Sequence, residues 1–253
     1  MNNMTLLFLF IIMLMASCGT DQGSKGNGPA HTSGNSSQSG SLARFTIVGD
    51  HLYVVNDQEL IAFDIADPQN INEASKQRVH FGIETIFPYE GNLFIGGQQG
   101  LYIYSESETP GKPKFTSQFS HARACDPVVV QGNYAYITLR NTGNCPGSEN
   151  VLKVLDVTDL HQPQLIKDYP LTAPLGLAAT ENNLFICDGD KLKVFDSADP
   201  LNIEGKSSTP LRGCMDIIHV NDSLIVTSLE GIIQYSVVES NLEQLSHIDV
   251  GGR

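Results

Sequence analysis

Leu152-Lys153-Val154-Leu155-Asp156-Val157-Thr158-Asp159-Leu160-His161-Gln162-Pro163 is an apolar run that stops on an Asp, with a second Asp and a Pro close behind. Forty residues later it returns as Leu192-Lys193-Val194-Phe195-Asp196-Ser197-Ala198-Asp199-Pro200. An earlier copy reads Leu60-Ile61-Ala62-Phe63-Asp64-Ile65-Ala66-Asp67-Pro68. A strand that always ends in the same turn chemistry is a repeat unit, and a repeat decides the architecture.

Each copy is preceded by a strand, a tight turn and a second strand. Phe45-Thr46-Ile47-Val48 runs through Gly49-Asp50 into Leu52-Tyr53-Val54-Val55, and Ile86-Phe87 through Gly91-Asn92 into Leu93-Phe94-Ile95. The pattern continues with Gly132-Asn133, Asn182-Asn183 and Asn221-Asp222 as turns. Gly, Asn and Asp suit these places because they tolerate positive φ. A third strand follows in every unit (Leu60 to Asp64, Leu101 to Ser105, Leu152 to Asp156, Leu192 to Asp196, Ile232 to Ser236). A more polar fourth strand closes the unit, as in Leu165 to Tyr169 or Leu245 to Val250.

The landmarks Tyr53, Phe94, Tyr136, Phe185 and Ile225 are 41, 42, 49 and 40 residues apart, the long interval holding a loop insertion from Arg140 to Asn150. Four strands in about forty residues is the size of a propeller blade. Val128-Val129-Val130 and Leu184-Phe185-Ile186-Cys187 are apolar on both faces, so both faces must be covered, as stacked blades cover them. The expected fold is all-β: a five-bladed β-propeller of four-stranded antiparallel blades over residues 42–253, closed by the last blade packing on the first.

Working outward, the first seventeen residues carry no charged side chain, and Leu6 to Ala16 is continuously apolar. That run is too short for a stable membrane span and reads as the core of an export signal, residues 1–17. It ends Leu14-Met15-Ala16-Ser17-Cys18-Gly19, which resembles a bacterial lipobox, with Cys18 as the acylated residue. From Gly19 to Ser41 little remains but Gly, Ser, Asn, Gln and Thr. Residues 18–41 thus read as a lipidated Cys and a flexible tether. The expected address is the cell envelope, in the outer membrane of a Gram-negative bacterium.

The blades resemble the LVIVD-repeat family of bacterial cell-surface β-propellers, named for a strand such as Leu152-Lys153-Val154-Leu155-Asp156. Cys125-Asp126-Pro127-Val128-Val129-Val130, Ala135 to Arg140, Leu175-Gly176-Leu177 and Leu184 to Gly189 carry the likeness. The resemblance spans about Leu42 to Val250 and implies a fold and a surface location, with no activity to carry over.

The formal charge is −13, from 15 Lys and Arg against 28 Asp and Glu. Such a surface repels phosphates, so no nucleic-acid partner is expected. Asp64, Asp156 and Asp196, each with an Asp three residues on, fall in separate blades and cannot converge on one ion; they are expected to accept turn N–H groups. Asp188-Gly189-Asp190 resembles a fragment of a calcium loop, but the other ligands are missing, and a two-residue hairpin turn fits it better. No nucleophile elbow, phosphate loop or Cys-x-x-Cys pair is present, and no cofactor is indicated.

Four Cys remain after Cys18, in a compartment where disulfides persist. Cys125 begins an inner strand and Cys145 lies in the inserted loop of the same blade, which places them to pair. Cys187 ends a second strand and Cys214 begins the next inner strand; they either meet across blades or stay as buried thiols. Glu84, Arg123, Asp126 and Asp216 lie near inner-strand starts, with Arg140 and Asp188 on adjoining loops. They form the candidate ligand face, the alternative being solvated rim charges. The expected function is a binding or scaffolding module for an envelope protein or glycan. The alternative is a lactonase-like hydrolase with a cation, calcium by chemistry, held in the channel.

Overall fold

The computed structural model describes residues 40–120, 127–141, 149–238 and 240–250. They form five sheets of four antiparallel strands, each sheet a meander in chain order. Blade 1 comprises β1 (Phe45–Val48), β2 (His51–Val55), β3 (Glu59–Asp64) and β4 (Asn72–Arg78). Blade 2 has β5 (Ile83–Tyr89), β6 (Asn92–Gly97), β7 (Gly100–Ser105) and β8 (Lys114–Ser120). Blade 3 has β9 (Val128–Gln131), β10 (Tyr134–Leu139), β11 (Val151–Asp156) and β12 (Gln164–Pro170). Blade 4 has β13 (Pro174–Ala179), β14 (Asn183–Asp188), β15 (Lys191–Asp196) and β16 (Glu204–Pro210). Blade 5 has β17 (Asp216–Val220), β18 (Ser223–Ser228), β19 (Gly231–Val238) and β20 (Asn241–Ile248). The five-bladed propeller expected from the repeat is the fold observed.

The turn chemistry acts as anticipated. Asp64, Asp156 and Asp196 accept the backbone N–H groups of Ala66, Thr158 and Ala198. Asp67, Asp159 and Asp199 accept those of Gln69, His161 and Leu201. Each carboxylate is therefore a turn-former. Asp188 ends β14, and the turn is Gly189-Asp190, with Gly189 at φ 65°. In blade 2 the inner turn is Glu90-Gly91 rather than Gly91-Asn92, because Glu90 itself takes a positive φ of 46°. Every blade also carries a bulge between its third and fourth strands, for example at Ala62/Phe63 and Val194/Phe195. An extra residue there bends and twists the outer strand.

Four apolar clusters join consecutive blades. Tyr53, Val55, Leu60 and Ala62 pack on Ile83, Ile86 and Tyr102 of blade 2. Phe94, Leu101 and Ile103 meet Val128, Val130 and Ile137 of blade 3. Val129, Tyr136 and Val154 meet Leu177, Leu184 and Ile186 of blade 4. Phe185, Leu192 and Val194 meet Ile217, Leu224 and Val226 of blade 5. Hydrogen bonds from the outer strands run alongside. Ser75 Oγ donates to Gly111 O at 2.6 Å, Ser117 to Leu160 O, and Ser207 to Ser240 O at 2.8 Å. Tyr169 does the same between blades 3 and 4, donating to Pro200 O at 3.0 Å.

The junction of blade 5 with blade 1 is built differently from the packed closure expected. Among the described residues no apolar cluster spans it. By register, Phe45, Ile47, Leu52, Val54, Ile61 and Phe63 share the face of blade 1 turned away from blade 2. Phe45 is 60% exposed and Ile47 48%, although both lie on an innermost strand. Blade 5 turns Ile218, Ile225 and Ile232 away from blade 4, all half-buried. Ser246 stands opposite Gln234 as Ser75 stands opposite Ala62 and Ser207 opposite Val194. Yet Ser246 Oγ bonds Gln234 Oε1 of its own sheet, at 3.3 Å. At the inner end of this junction Gly40 and Ser41 are buried, and Ser41 bonds Asp216.

Candidate functional site at the channel mouth

Inner strands β1, β5, β9, β13 and β17 start at one mouth of the ring. Asp216 is the first residue of β17, Glu84 the second of β5, and Asp188 pairs with Pro174 at the start of β13. Arg140 directly follows β10. Four of the six candidate ligand residues therefore share this mouth. Arg123 and Asp126 lie outside the described residues, as do Cys125, Cys145 and Cys18.

Asp216 is engaged by the chain itself. Its Oδ1 accepts from Ser41 Oγ at 2.9 Å and from the Ile217 N–H at 2.9 Å. Ser41 Oγ in turn accepts the Leu177 N–H of blade 4 at 2.8 Å. Two residues on, Ala43 O accepts the Ile86 N–H of blade 2 at 2.9 Å, and Arg44 Nη2 donates to Ile83 O at 2.7 Å. The segment from Gly40 to Arg44 thus links blades 5 and 4 to blade 2 across the mouth. Glycine is required at two places. A Cβ on Gly40 would sit 2.1 Å from Asp216 Oδ2, and one on Gly176 2.5 Å from Asp216 Oδ1. Burial pushes the Asp216 carboxyl above its ordinary range; hydrogen bonds from Ile217, Ser41 and Leu42 pull the other way.

Asp188, 2% exposed, accepts the N–H groups of Thr172 at 2.9 Å and Ala173 at 2.6 Å, and pairs with Lys193 Nζ. Its role is to fix the blade 3 to blade 4 crossover. Glu84 accepts from Gln98 Nε2 at 3.2 Å. Burial raises its pKa, with the Gln98 bond and the Arg44 charge opposing. Arg140 Nε is buried without an acceptor among the described residues. Among the described residues no three His, Cys, Asp or Glu side chains converge to hold a metal ion. At the other mouth, between the inner turns of blades 4 and 5, Thr180, Asn183, Phe185, His219, Asn221 and Asp222 help line an open cleft of about 250 Å³. Burial lowers the His219 pKa there, against the pull of Asp222.

Cys187 and Cys214 form a disulfide with Cα atoms 5.2 Å apart, stitching β14 to the approach of β17 inside the blade 4/5 core. Of the two outcomes open for this pair, the cross-blade bond is the one observed. Ser41, Arg44 and Lys193 are the mouth residues that sequence reading passed over. Ser41 looked like the last residue of a polar tether, and nothing local announces that Asp216, 175 residues away, is its partner.

A family model described as the LVIVD repeat matches residues 39–77 and 122–170. The chain is a five-bladed β-propeller that carries the LVIVD repeat in two segments. The two matched segments cover blade 1 and blade 3, and the other blades repeat their architecture. No curated protein matches the chain. Among solved structures it is similar to a functionally unknown protein from Desulfotomaculum acetoxidans (13% identity, TM-score 0.66, 80% of this chain and 68% of that one). It is also similar to the periplasmic gluconolactonase of Pseudomonas aeruginosa (12%, 0.63, 81% and 68%). A third likeness is to a candidate 6-phosphogluconolactonase of Bacteroides fragilis (9%, 0.64, 81% and 69%). At these identities the chain shares a fold with them.

Proposed function

We propose that this protein is a binding or scaffolding module at the cell envelope, held there by lipid on Cys18. One observation carries the binding reading. Gly40 to Arg44 crosses the channel mouth and engages Asp216, while apolar surface lies open on the flanks of blades 1 and 5. Such flanks offer contact area for a partner rather than a polar pocket for chemistry. The lipobox-like Leu14 to Gly19 and the polar stretch after it support the anchor, and several acyl chains would hold it firmly. Metabolic labelling with a fatty-acid analogue, followed by fractionation, tests this. Wild-type protein should be labelled and membrane-bound, and Cys18→Ala neither; an unlabelled wild type overturns the anchor. Affinity capture from solubilised membranes should recover an envelope protein or glycan.

The second reading, a lactonase-like hydrolase using a channel cation, draws on the gluconolactonase among the structural neighbours. It requires carboxylates free to face a ligand. Asp188 is already bonded to Thr172, Ala173 and Lys193, and Asp216 to Ser41 and Ile217. Calcium-dependent hydrolysis of a sugar lactone, abolished by Asp216→Asn, would establish this reading in place of the first.

A further inference from the structure

We propose that the cleft between the inner turns of blades 4 and 5 is a binding site for one neutral sugar ring, held by Asn183, His219 and Asp222. The repeat shows where this junction departs from the others. In each blade the innermost strand meets its turn at a residue paired with the one three further on: Val48 with His51, Tyr89 with Asn92, Gln131 with Tyr134, Thr180 with Asn183 and Val220 with Ser223. By the pleat, the residue before that pair lies on the face turned to the preceding blade. It is Ile47, Pro88, Val130 and Ala179 in blades 1 to 4, and His219 in blade 5. The preceding blade supplies the other wall. Tyr89 closes the junction of blades 2 and 3, packing on its apolar cluster and accepting the Gly132 N–H at 2.8 Å. Tyr134 packs at the junction of blades 3 and 4, and Val48 at that of blades 1 and 2. Blade 4 has only Thr180 and Asn183 at these two positions, and the cleft of about 250 Å³ opens beside them.

The lining selects the ligand. Asn183 Oδ1 already accepts from Ser240 Oγ at 2.9 Å, which leaves its amide N–H groups to donate. Asp222, when ionised, can only accept. Burial lowers the His219 pKa, so at neutral pH its ring is uncharged and offers one donor and one acceptor. Neither the His219 nor the Asp222 side chain hydrogen-bonds another described residue. A sugar hydroxyl both donates and accepts, so it answers all three groups, and the C–H face of the ring suits Phe185 and Val237. An anion would meet Asp222 with no Lys or Arg in the described lining to balance it, and an amine would leave the Asn183 donors unanswered. Pockets for drug-sized ligands run from about 300 to 1,000 Å³, so this smaller cleft takes a single ring. The site lies on the face of blade 5 opposite Ile218, Ile225 and Ile232, at the mouth away from Gly40 to Arg44, and is separate from the open flanks.

NMR titration of the full chain, in a detergent without a sugar head, is the test. Glucose, galactose, mannose and N-acetylglucosamine are the probes, with glucuronate and ethanolamine as charged comparisons. The readout is the His219 imidazole carbon–proton peak, assigned by its loss in His219→Val. At least one neutral sugar should shift that peak saturably and receive saturation transfer from the protein. His219→Val and Thr180→Tyr put in the residues that blades 3 and 2 hold at these positions, Val130 and Tyr89, so both should keep the fold. Each should weaken sugar binding at least about tenfold, one by removing a hydrogen bond and the other by filling the cleft. No saturable binding of any neutral sugar overturns the proposal. So does tighter binding of either charged probe, or sugar binding that either folded variant retains in full. The readout needs neither the Cys18 lipid nor the flanks of blades 1 and 5, so this site and the envelope-module reading fail separately.

Discussion

Tyr53 of blade 1 donates its hydroxyl proton to Glu106 of blade 2, and both side chains are shut away from water. The Gly111 N–H donates to the Tyr53 oxygen at 2.9 Å, so one hydroxyl ties two blades and a turn. Burial, reinforced by the Glu106 bond, pushes the phenol pKa upward and keeps it protonated. Tyr53→Phe keeps the ring and removes the donor from a buried carboxylate. It should destabilise the fold by about 1–3 kcal/mol in denaturant titration, with Glu106→Gln relieving part of the loss.

Reducing the Cys187–Cys214 bond frees a loop of 27 residues' separation between blades 4 and 5. In the chain-entropy account this costs about 3.5 kcal/mol. Both sulfurs lie inside an apolar cluster, so Cys187→Ala with Cys214→Ala should lower the melting transition by several degrees and loosen blade 5 first. Hydrogen exchange resolved by strand should show β17 to β20 losing protection before β5 to β8.

Adding one methyl at the channel mouth should be costly. Gly40→Ala would drive a Cβ to 2.1 Å from Asp216 Oδ2, where the chain is held on both sides. Overpacking of this kind costs about 1–3 kcal/mol. Gly49→Ala meets no neighbouring atom, but its φ of 56° would be strained. Parallel unfolding curves should show Gly40→Ala destabilised, and Gly40→Ala with Asp216→Ala partly restored.

The carboxylates should titrate in two groups around their ordinary value of 3.8. Asp156, Asp196 and Asp199 are held low, first by bonds from Thr158, Ala198 and Asn202 respectively. The folded state binds their protons less readily than the unfolded chain does. Their stabilising contribution is present above the ordinary value and is lost as pH falls through the folded pKa values. Asp216 runs the other way: its raised pKa favours the protonated form in the fold, so its contribution falls as pH rises through the ordinary range and on to the folded pKa. Carbon-detected NMR of the side-chain carboxyls should show Asp216 protonating at a higher pH than the other three.

The blades were legible because their signals are local. The Asp-Pro turns, the Gly and Asn pairs and the doubly apolar Leu184 to Cys187 each act within a few residues, and they reappear as read except at blade 2, where the turn is Glu90-Gly91. Glu90 escaped because only geometry, not residue type, shows that it takes positive φ. The flank of blade 1 escaped for a different reason. Phe45 and Ile47 look the same in sequence whether a neighbouring blade covers them or not. At the mouth, Asp188 and Asp216 were found in place, but their engagement depends on Lys193, Ser41 and backbone N–H groups that no spacing rule points to.

The Ser41–Asp216 bond also sets an order of assembly. Its partners are 175 residues apart, and nearly the whole domain lies between them. A chain emerging from its N-terminus exposes Ser41 first and Asp216 only when the fifth blade arrives. Blades 1 to 4 can stack as they appear, each on its predecessor, with Ala43 and Arg44 bonding blade 2 and Ser41 bonding blade 4, while the bond to Asp216 waits for blade 5. That bond forms only with the fifth blade in its place.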